Sequence, residues 1–474
     1  MPTETLIFGP PGCGKTHTLM EIMQRELDNG TPPDRIGFVS FSKKAIKEAK
    51  TRAMSKFHLL EDDLPWFKTL HALGFAWLGM ESKNVVDPAD LRALEWDLGV
   101  RFDNTTAEML GEGLIPTSYQ KGNRYLSIIA RAKMRCISME QEYSDRGDYD
   151  LHWEELVFIN EVYSQYKANK NKYDFTDMVE LFVEQGTAPT LDVLIVDEAQ
   201  DLTPLQWKQV KIIKQNSDRI WYAGDDDQCV HRWNGVEVED FMNACDNKTV
   251  LSQSYRVPQA VFSLANSIVD RIHTRFPKSW NPMERVGDFQ FHNSWYDIDI
   301  DQGSWTIMGR TNNIIKKVAD QLRDDGYLYR LNERLSINEE MLEVMNIWMA
   351  LADGKVVNHK ALEKLYDNVP KTGDKAVVKR GSSKTLSTLD PEGLYDYNIL
   401  VENHGLIAGR ETPAEDIVNM SQEDRRYVAA LKLRGESLTA PRIKLSTIHR
   451  MKGGEDENII LFSESCFPAV NNPE

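Results

Sequence analysis

Two groups of residues in this chain have the types and spacing for phosphate chemistry. Gly9-Pro10-Pro11-Gly12-Cys13-Gly14-Lys15-Thr16 satisfies GxxxxGK[ST] at every fixed position. Glycines at this spacing let backbone N–H groups turn inward around phosphate oxygens, and the start of a following helix adds partial positive charge. Lys15 suits the β- and γ-phosphates, and the Thr16 hydroxyl suits a Mg²⁺ ion. The second group, Asp197-Glu198-Ala199-Gln200-Asp201, supplies carboxylates. Asp197 would hold Mg²⁺, mostly through water, and Glu198 would orient or deprotonate an attacking water. Together they describe a nucleoside triphosphate hydrolase. Cys13 reads as a small loop residue.

These groups need particular elements to carry them. Thr5–Phe8 reads as a short buried strand and His17–Leu27 as a helix, the strand–loop–helix context a phosphate loop requires. Leu191–Val196 is an apolar run fit for a buried parallel strand. Its carboxylates then fall at the carboxyl edge of a doubly wound sheet, beside the phosphate loop. Ile220–Ala223 is the next strand, followed by Gly224-Asp225-Asp226-Asp227-Gln228, where Gln228 can hydrogen-bond a γ-phosphate. His231-Arg232-Trp233-Asn234-Gly235 comes next, a cationic and aromatic cluster suited to base stacking and phosphate contact. Taken alone, Trp233 reads better as a core residue.

Composition sets the outer bounds. The 474 residues, 41% hydrophobic and 27% charged, suffice for three or four domain-sized units with sizeable cores. A net charge of −17 argues against coating nucleic acid with the whole surface, but leaves room for a local basic groove. No apolar run reaches membrane-spanning length and no signal segment opens the chain. The five cysteines show no metal spacing, which suits a reducing cytoplasm. The expected location is cytoplasmic, in a bacterial or phage-infected cell, with no membrane partner.

In this order the segments resemble the UvrD/Rep family of superfamily 1 DNA helicases, in discontinuous motifs from Gly9 to about Phe462. DEAQD and GDDDQ together carry most of the resemblance. Around Phe41-Ser42-Lys43 the chain is similar to the family's first single-strand-contact segment, although Lys43 stands where Asn is usual. Thr69 and His71 lie in a stretch like its next DNA-contacting segment, and Tyr173–Met178 resembles a DFxDL stretch. Ser254-Tyr255-Arg256 resembles the opening of the second motor domain. There the resemblance implies that Tyr255 stacks on adenine, with His17 as a candidate opposite it, and that Arg256 reaches the γ-phosphate. Thr311 sits in a further DNA-side segment. Thr447-Ile448-His449-Arg450-Met451-Lys452-Gly453-Gly454-Glu455 resembles the motif that couples ATP to DNA. It implies Thr447 and His449 on the nucleic-acid backbone, and Gly453 and Glu455 facing the nucleotide.

The fold implied is α/β: two RecA-like P-loop NTPase domains with parallel sheets, each carrying an inserted subdomain. The first core would take residues 1–80 and 173–249, around a helical insertion at 81–172. The second would take 250–332 and 441–474, around an insertion at 333–440. Leu91–Leu98 and Leu126–Met139 are periodic in apolar positions, and Asn338–Ala352 reads as an amphipathic helix. Arg124, Arg131, Lys133 and Arg135 read equally as a solvated cationic face or a DNA contact. The basic stretch 371–387 reads equally as a duplex contact or a mobile loop.

The implied activity is an ATP-dependent DNA helicase or translocase. It would use Mg²⁺, move along single-stranded DNA from 3′ toward 5′, and act at duplex junctions, with a protein loading partner a further expectation. Two departures bear on it. None of the eight residues before Gly9 is a Gln that could read adenine, and nothing after Phe462 resembles the family's last arginine motif. The expectation is a chain incomplete at its C-terminus relative to the family. The competing expectation is a nucleotide-gated DNA-binding protein, or weakened ATPase, that does not unwind. A GTPase is disfavoured because no NKxD segment is found.

Overall fold

The computed structural model describes residues 2–103, 120–148, 150–230, 232, 235–436 and 440–463. The chain divides into two compact units, residues 1–290 and 291–474.

The first unit is built on six parallel strands: β1 (Thr3–Phe8), β2 (Ile36–Ser40), β3 (Phe67–Thr69), β4 (Leu191–Asp197), β5 (Ser217–Gly224) and β6 (Lys248–Val250). They lie in the order β3-β2-β4-β5-β1-β6. Strands buried on both faces read as continuous apolar runs, as Val193–Val196 does. Alternate residues serve opposite cores. Leu6, Phe8, Leu194 and Val196 join Leu70, Leu73, Trp207 and Val210 on one face, while Ile7, Val193 and Ile195 join Leu19, Ile22, Met23 and Ala49 on the other. The helices on these faces are α1 (Lys15–Asp28), α2 (Lys43–Phe57) and α3 (Leu70–Trp77) early in the chain.

Between β3 and β4 the chain forms α4 (Pro88–Leu98), α5 (Lys121–Arg135), α6 (Met139–Arg146), α7 (Trp153–Lys170) and α8 (Phe175–Gln185). Leu91, Leu94, Tyr125, Leu156 and Ile159 give this segment its own core. The apolar period at 126–139 does not form one helix. Cys136 adopts the left-handed conformation at φ 57° and ends α5, and the Ser138 hydroxyl then caps α6 by accepting from the Gln141 N–H. The cations of α5 are neither a solvated face nor free for nucleic acid. Arg124 pairs with Asp148 and Asp150, Arg131 with Glu142, Lys133 with Asp177 and Glu180, and Arg135 with Glu142 and Asp145.

The rest of the first unit adds α9 (Pro204–Gln215), α10 (Val238–Met242) and α11 (Gln259–Val269). The segment just beyond residue 249 stays against the first sheet by local pairing. β6 joins the first sheet beside β1, the Leu251 N–H donates to the Phe8 carbonyl at 2.8 Å, and Phe276 stacks on Phe8 with ring centroids 4.1 Å apart.

The second unit carries β7 (Trp305–Gly309), β8 (Tyr329–Leu331), β9 (Arg334–Leu335), β12 (Ile443–Thr447) and β13 (Asn458–Leu461) in one sheet, with a small β10 (Val357–Asn358) and β11 (Leu394–Tyr395) pair elsewhere. The order is β13-β7-β12-β8-β9, parallel except for the β8–β9 hairpin. Helix α12 (Asn312–Asp324) covers it through Ile315, Val318 and Leu322. Helices α13 (Glu339–Ala352), α14 (His359–Asn368), α15 (Tyr397–Asn403), α16 (Ala414–Ile417) and α17 (Gln422–Arg434) lie between β9 and β12. Trp348, Leu365 and Tyr366 centre their core. The basic stretch 371–387 is folded into that core through Val377, Val378 and Leu386, with a 3₁₀ turn at Ser382–Thr388. Among the described residues no helix is long and apolar enough to cross a membrane.

Candidate active site

The phosphate loop leaves the carboxyl end of β1 and enters α1 at Lys15. Its Gly9 N–H donates to the Gly224 carbonyl at 2.8 Å, tying the loop to the end of β5. Gly12 has φ +71°, and a Cβ built there would lie 2.3 Å from the Arg256 Cβ, so glycine is required both by conformation and by room. Gly14 caps α1 from the left-handed region without a side chain, and the first turn holds no acidic residue. That leaves the helix N-terminus electropositive, as an anion site needs. Lys15 folds back to donate to the Gly9 carbonyl at 2.7 Å. Thr16 is half-buried in the first turn, and His17 is exposed, 3.3 Å from Glu21. Cys13 is buried, and burial pushes its thiol up to about 11, so it is a packing residue. Pro10 and Pro11 complete the turn, with the Pro10 carbonyl accepting from the Cys13 N–H and the Pro11 carbonyl from the Ser254 hydroxyl.

Strand β5 lies between β1 and β4, and its register sets Phe8 level with Gly224. At the carboxyl end of β4, Asp197 is almost wholly buried. Burial, then the neighbouring Glu198 carboxylate, push Asp197 up to about 7, with Lys15 pulling the other way. A buried carboxylate held this far from its ordinary range is short of positive charge, which a divalent cation would supply. Asp197 and Thr16 therefore fit a Mg²⁺ site. Among the described residues no three His, Cys, Asp or Glu side chains form a metal cluster. Glu198 sits at φ +52°, an uncommon conformation for a non-glycine residue that re-aims its side chain.

A polar chain joins these groups. Gln200 donates to the Glu198 carboxylate at 2.7 Å, and its amide oxygen accepts from the Asp225 N–H at 3.1 Å. Gln228 donates to the Asp225 carboxylate at 2.6 Å. Gly224 makes room for this, since a Cβ there would fall 2.2 Å from the Gln200 amide oxygen. The turn is held from beyond by Lys278, whose ammonium lies 3.2, 2.6 and 2.6 Å from the carboxylates of Asp225, Asp226 and Asp227. Sequence reasoning missed Gln200, Asp225 and Lys278. Three successive aspartates at the end of a buried strand were the available signal, because they require a nearby cation.

Tyr255 and Arg256 lie in the first unit, against the phosphate loop. The Tyr255 N–H donates to the Gly12 carbonyl at 2.9 Å, and the Ser254 hydroxyl accepts from the Arg256 N–H at 3.3 Å. The Tyr255 ring is exposed. Arg256 lies in the same compact unit as Lys15.

The residues expected on nucleic acid fall into groups. In the first unit, Phe41, Ser42 and Lys43 follow β2, and Thr69 ends β3, whose register sets it level with Ser40 and so with Asp197. Phe41 is buried; the Ser42 hydroxyl caps α2 by accepting from the Ala45 N–H at 3.1 Å; Lys43 is exposed. The Thr69 hydroxyl caps α3, accepting from Ala72 at 3.2 Å. His71 is buried edge-on to Phe175, and burial, aided by Lys43, holds its imidazole down to about 4. Thr69 thus caps a helix and His71 packs against Phe175. Trp233 lies outside the described residues, as do His231 and Asn234. In the second unit, Thr311 caps α12 after β7, and Thr447 ends β12 level with Gly309. The Ile448 N–H donates to the Gly309 carbonyl at 3.1 Å, while burial and Arg310 lower the His449 imidazole. These three residues share one sheet edge. Gly453 and Glu455 follow them in an exposed turn.

Comparison with known proteins agrees with this geometry. Residues 1–249 match the family model described as the UvrD/REP helicase N-terminal domain. The chain is 25% identical over 391 residues to the ATP-dependent DNA helicase PcrA of Leuconostoc citreum, covering 76% of this chain and 48% of that one. It is 23% identical over 347 residues to the putative ATP-dependent DNA helicase YjcD of Bacillus subtilis, covering 69% and 44%. To DNA helicase II of Haemophilus influenzae it is 22% identical over 468 residues, covering 88% and 62%. The chain thus spans about half the length of the first curated relatives it matches. With the family model covering more than half of its residues and the phosphate loop, the acidic strand and the GDDDQ turn joined at one sheet edge, the chain belongs to the UvrD/REP helicase family.

Proposed function

We propose that this chain is the ATP-hydrolysing part of a DNA helicase or translocase moving on single-stranded DNA. The observation that carries the reading is the polar chain Glu198–Gln200–Asp225–Gln228 at the carboxyl edge of the strands that bear the phosphate loop and Asp197. It links Glu198, which this reading makes the water-orienting carboxylate, with Gln228, which it makes the γ-phosphate sensor, on one hydrogen-bonded support.

In this reading Lys15 and the first-turn N–H groups of α1 bind the phosphates, and Thr16 and Asp197 hold Mg²⁺. Bound Mg²⁺ supplies charge neutralisation across the phosphate oxygens. Glu198 orients the attacking water and accepts its proton, Gln228 hydrogen-bonds the γ-phosphate, and Arg256 adds positive charge there. Tyr255 offers an exposed ring to adenine. Phe41, Ser42, Lys43, Thr69, His71 and Trp233 form one DNA-contacting group, and Thr311, Thr447 and His449 another, with Gly453 and Glu455 on the nucleotide side. Thr69 and His71 reach DNA only if the segment around them opens. Two RecA-like cores with inserted subdomains, movement from 3′ toward 5′, action at duplex junctions and a protein loading partner complete the proposal.

The test is steady-state ATP hydrolysis with and without single-stranded DNA. The reading expects strong stimulation by the strand and its loss in Lys15→Ala. Turnover that ignores DNA, or that survives Lys15→Ala, would overturn it.

A further inference from the structure

The segment Arg275–Lys278 is not a motif that phosphate chemistry calls for, yet it makes the densest ionic contacts around the proposed site. Lys278 has no exposed side-chain surface and reaches three successive carboxylates, those of Asp225, Asp226 and Asp227. Arg275 adds a two-pronged contact to Asp227, 2.9 Å from Nε to Oδ1 and 2.9 Å from a terminal nitrogen to Oδ2. The Phe276 N–H donates to Asp226 at 2.6 Å, and its ring lies on Phe8, the residue before the phosphate loop. Burial works against the Lys278 charge, and the three aspartates outweigh it and raise the ammonium above the ordinary lysine range. A buried ion cluster of this kind is a poor way to gain stability, since well-packed apolar side chains often do as well or better. It is a good way to fix geometry, because one cation must satisfy three consecutive side chains at once.

We propose that Lys278 is a positioning residue for nucleotide hydrolysis: it holds the Asp225–Asp227 turn so that Asp225 presents Gln228 on one side and, through Gln200, Glu198 on the other. The proposal rests on the hydrolytic reading above. Lys278 pairs with Asp225 at 3.2 Å, Asp225 accepts from Gln228 at 2.6 Å, and the Asp225 N–H reaches Gln200, which donates to Glu198 at 2.7 Å. Lys278 itself acts only through these residues. A shift of about 1 Å in such groups is enough to cost on the order of 10²-fold in rate.

The experiment compares wild type, Lys278→Met and the charge-balanced Lys278→Met/Asp226→Asn in the full chain. It reads kcat and KM for DNA-stimulated ATP hydrolysis, the affinity for a fluorescent ATP analogue, and the unfolding midpoint. The proposal expects kcat to fall at least tenfold in both variants, with KM and analogue affinity within about threefold of wild type. The double variant recovers much of any lost unfolding midpoint without recovering kcat. If kcat returns together with stability, or stays within twofold of wild type in a folded variant, Lys278 is structural only and the proposal fails. If analogue affinity falls as far as kcat, it fails as well. A wild-type chain without strand-stimulated hydrolysis sinks the hydrolytic reading first, and the positioning role with it.

Discussion

Lys15 donates from its ammonium to the carbonyl of Gly9 at 2.7 Å, so the cation proposed to bind phosphate is folded onto the backbone of its own loop. The bond is partly solvated and its loss should change stability by less than about 1 kcal/mol. Lys15→Ala is expected to lower turnover by on the order of 10²–10³-fold with an unfolding midpoint near that of wild type. Steady-state hydrolysis and thermal unfolding of the same preparation check both halves.

Asp197 gives the site a pH signature. Its folded value is raised to about 7 by burial and by Glu198. The folded chain therefore binds more protons than the unfolded chain between the ordinary carboxylate range and neutrality. This group's contribution to stability is greatest on the acid side and falls as pH rises through that window. A cation at Asp197 needs the ionised form, so Mg²⁺·nucleotide binding near neutral pH should release protons and weaken as pH falls below about 7. Calorimetry in two buffers of different ionisation enthalpy measures the release; Asp197→Asn should abolish it.

Gly224 and Gln200 compete for the same space. Adding a Cβ by Gly224→Ala puts it 2.2 Å from the Gln200 amide oxygen and 2.9 Å from the Phe241 ring. Overpacking of this kind should cost about 1–3 kcal/mol in denaturant unfolding. Because the displaced amide supports both Glu198 and Asp225, hydrolysis should fall further than the stability loss accounts for. Equal loss of activity and folded fraction would show that Gln200 merely fills space.

Lys167, on α7, bonds to Asp174 at 2.7 Å and to Asp177 at 2.6 Å, where α8 begins. All three are largely buried, so Lys167→Met should destabilise by roughly 3–5 kcal/mol, read as a lower denaturant midpoint. Burial alone would raise Asp174, but Lys167 and Lys133 hold it down to about 2. Its folded value is depressed, so its stabilisation is present above the ordinary carboxylate range and lost as pH falls from about 4 toward 2. The variant should lose most of that acid dependence.

Lys43 is the exposed cation beside the capped start of α2. If it meets a phosphate, Lys43→Ala should weaken single-strand binding uniformly across sequences and reduce the salt slope by about 0.7. Fluorescence anisotropy over a salt series supplies the slope, and an unchanged slope would remove Lys43 from the DNA interface.

Much of this was readable from the chain because the chemistry is local. The spacing Gly9 to Thr16 sets a loop whose conformation only glycines allow, and an apolar run ending in Asp197-Glu198 sets carboxylates at a strand end. What was not readable depends on distant pairing. Nothing local says that Lys278 meets Asp225 across 53 residues, or that Arg131 meets Glu142 on the next helix rather than solvent. The strand at Lys248–Val250 is too short to declare its sheet, which only its pairing with β1 shows. The Cys136 break was hidden because the apolar period continues through it. Burial of His71 follows from Phe175 arriving from a helix more than a hundred residues later.

The first sheet has a further consequence, for how copies of this chain meet one another. Its outermost strands, β3 and β6, have three residues each, while the inner β4 and β5 have seven and eight. The longest strands are thus enclosed, and the borders offer too few unpaired N–H and C=O groups to template another strand. Edge-to-edge aggregation through this sheet is disfavoured by its order alone, with no charged gatekeeper needed.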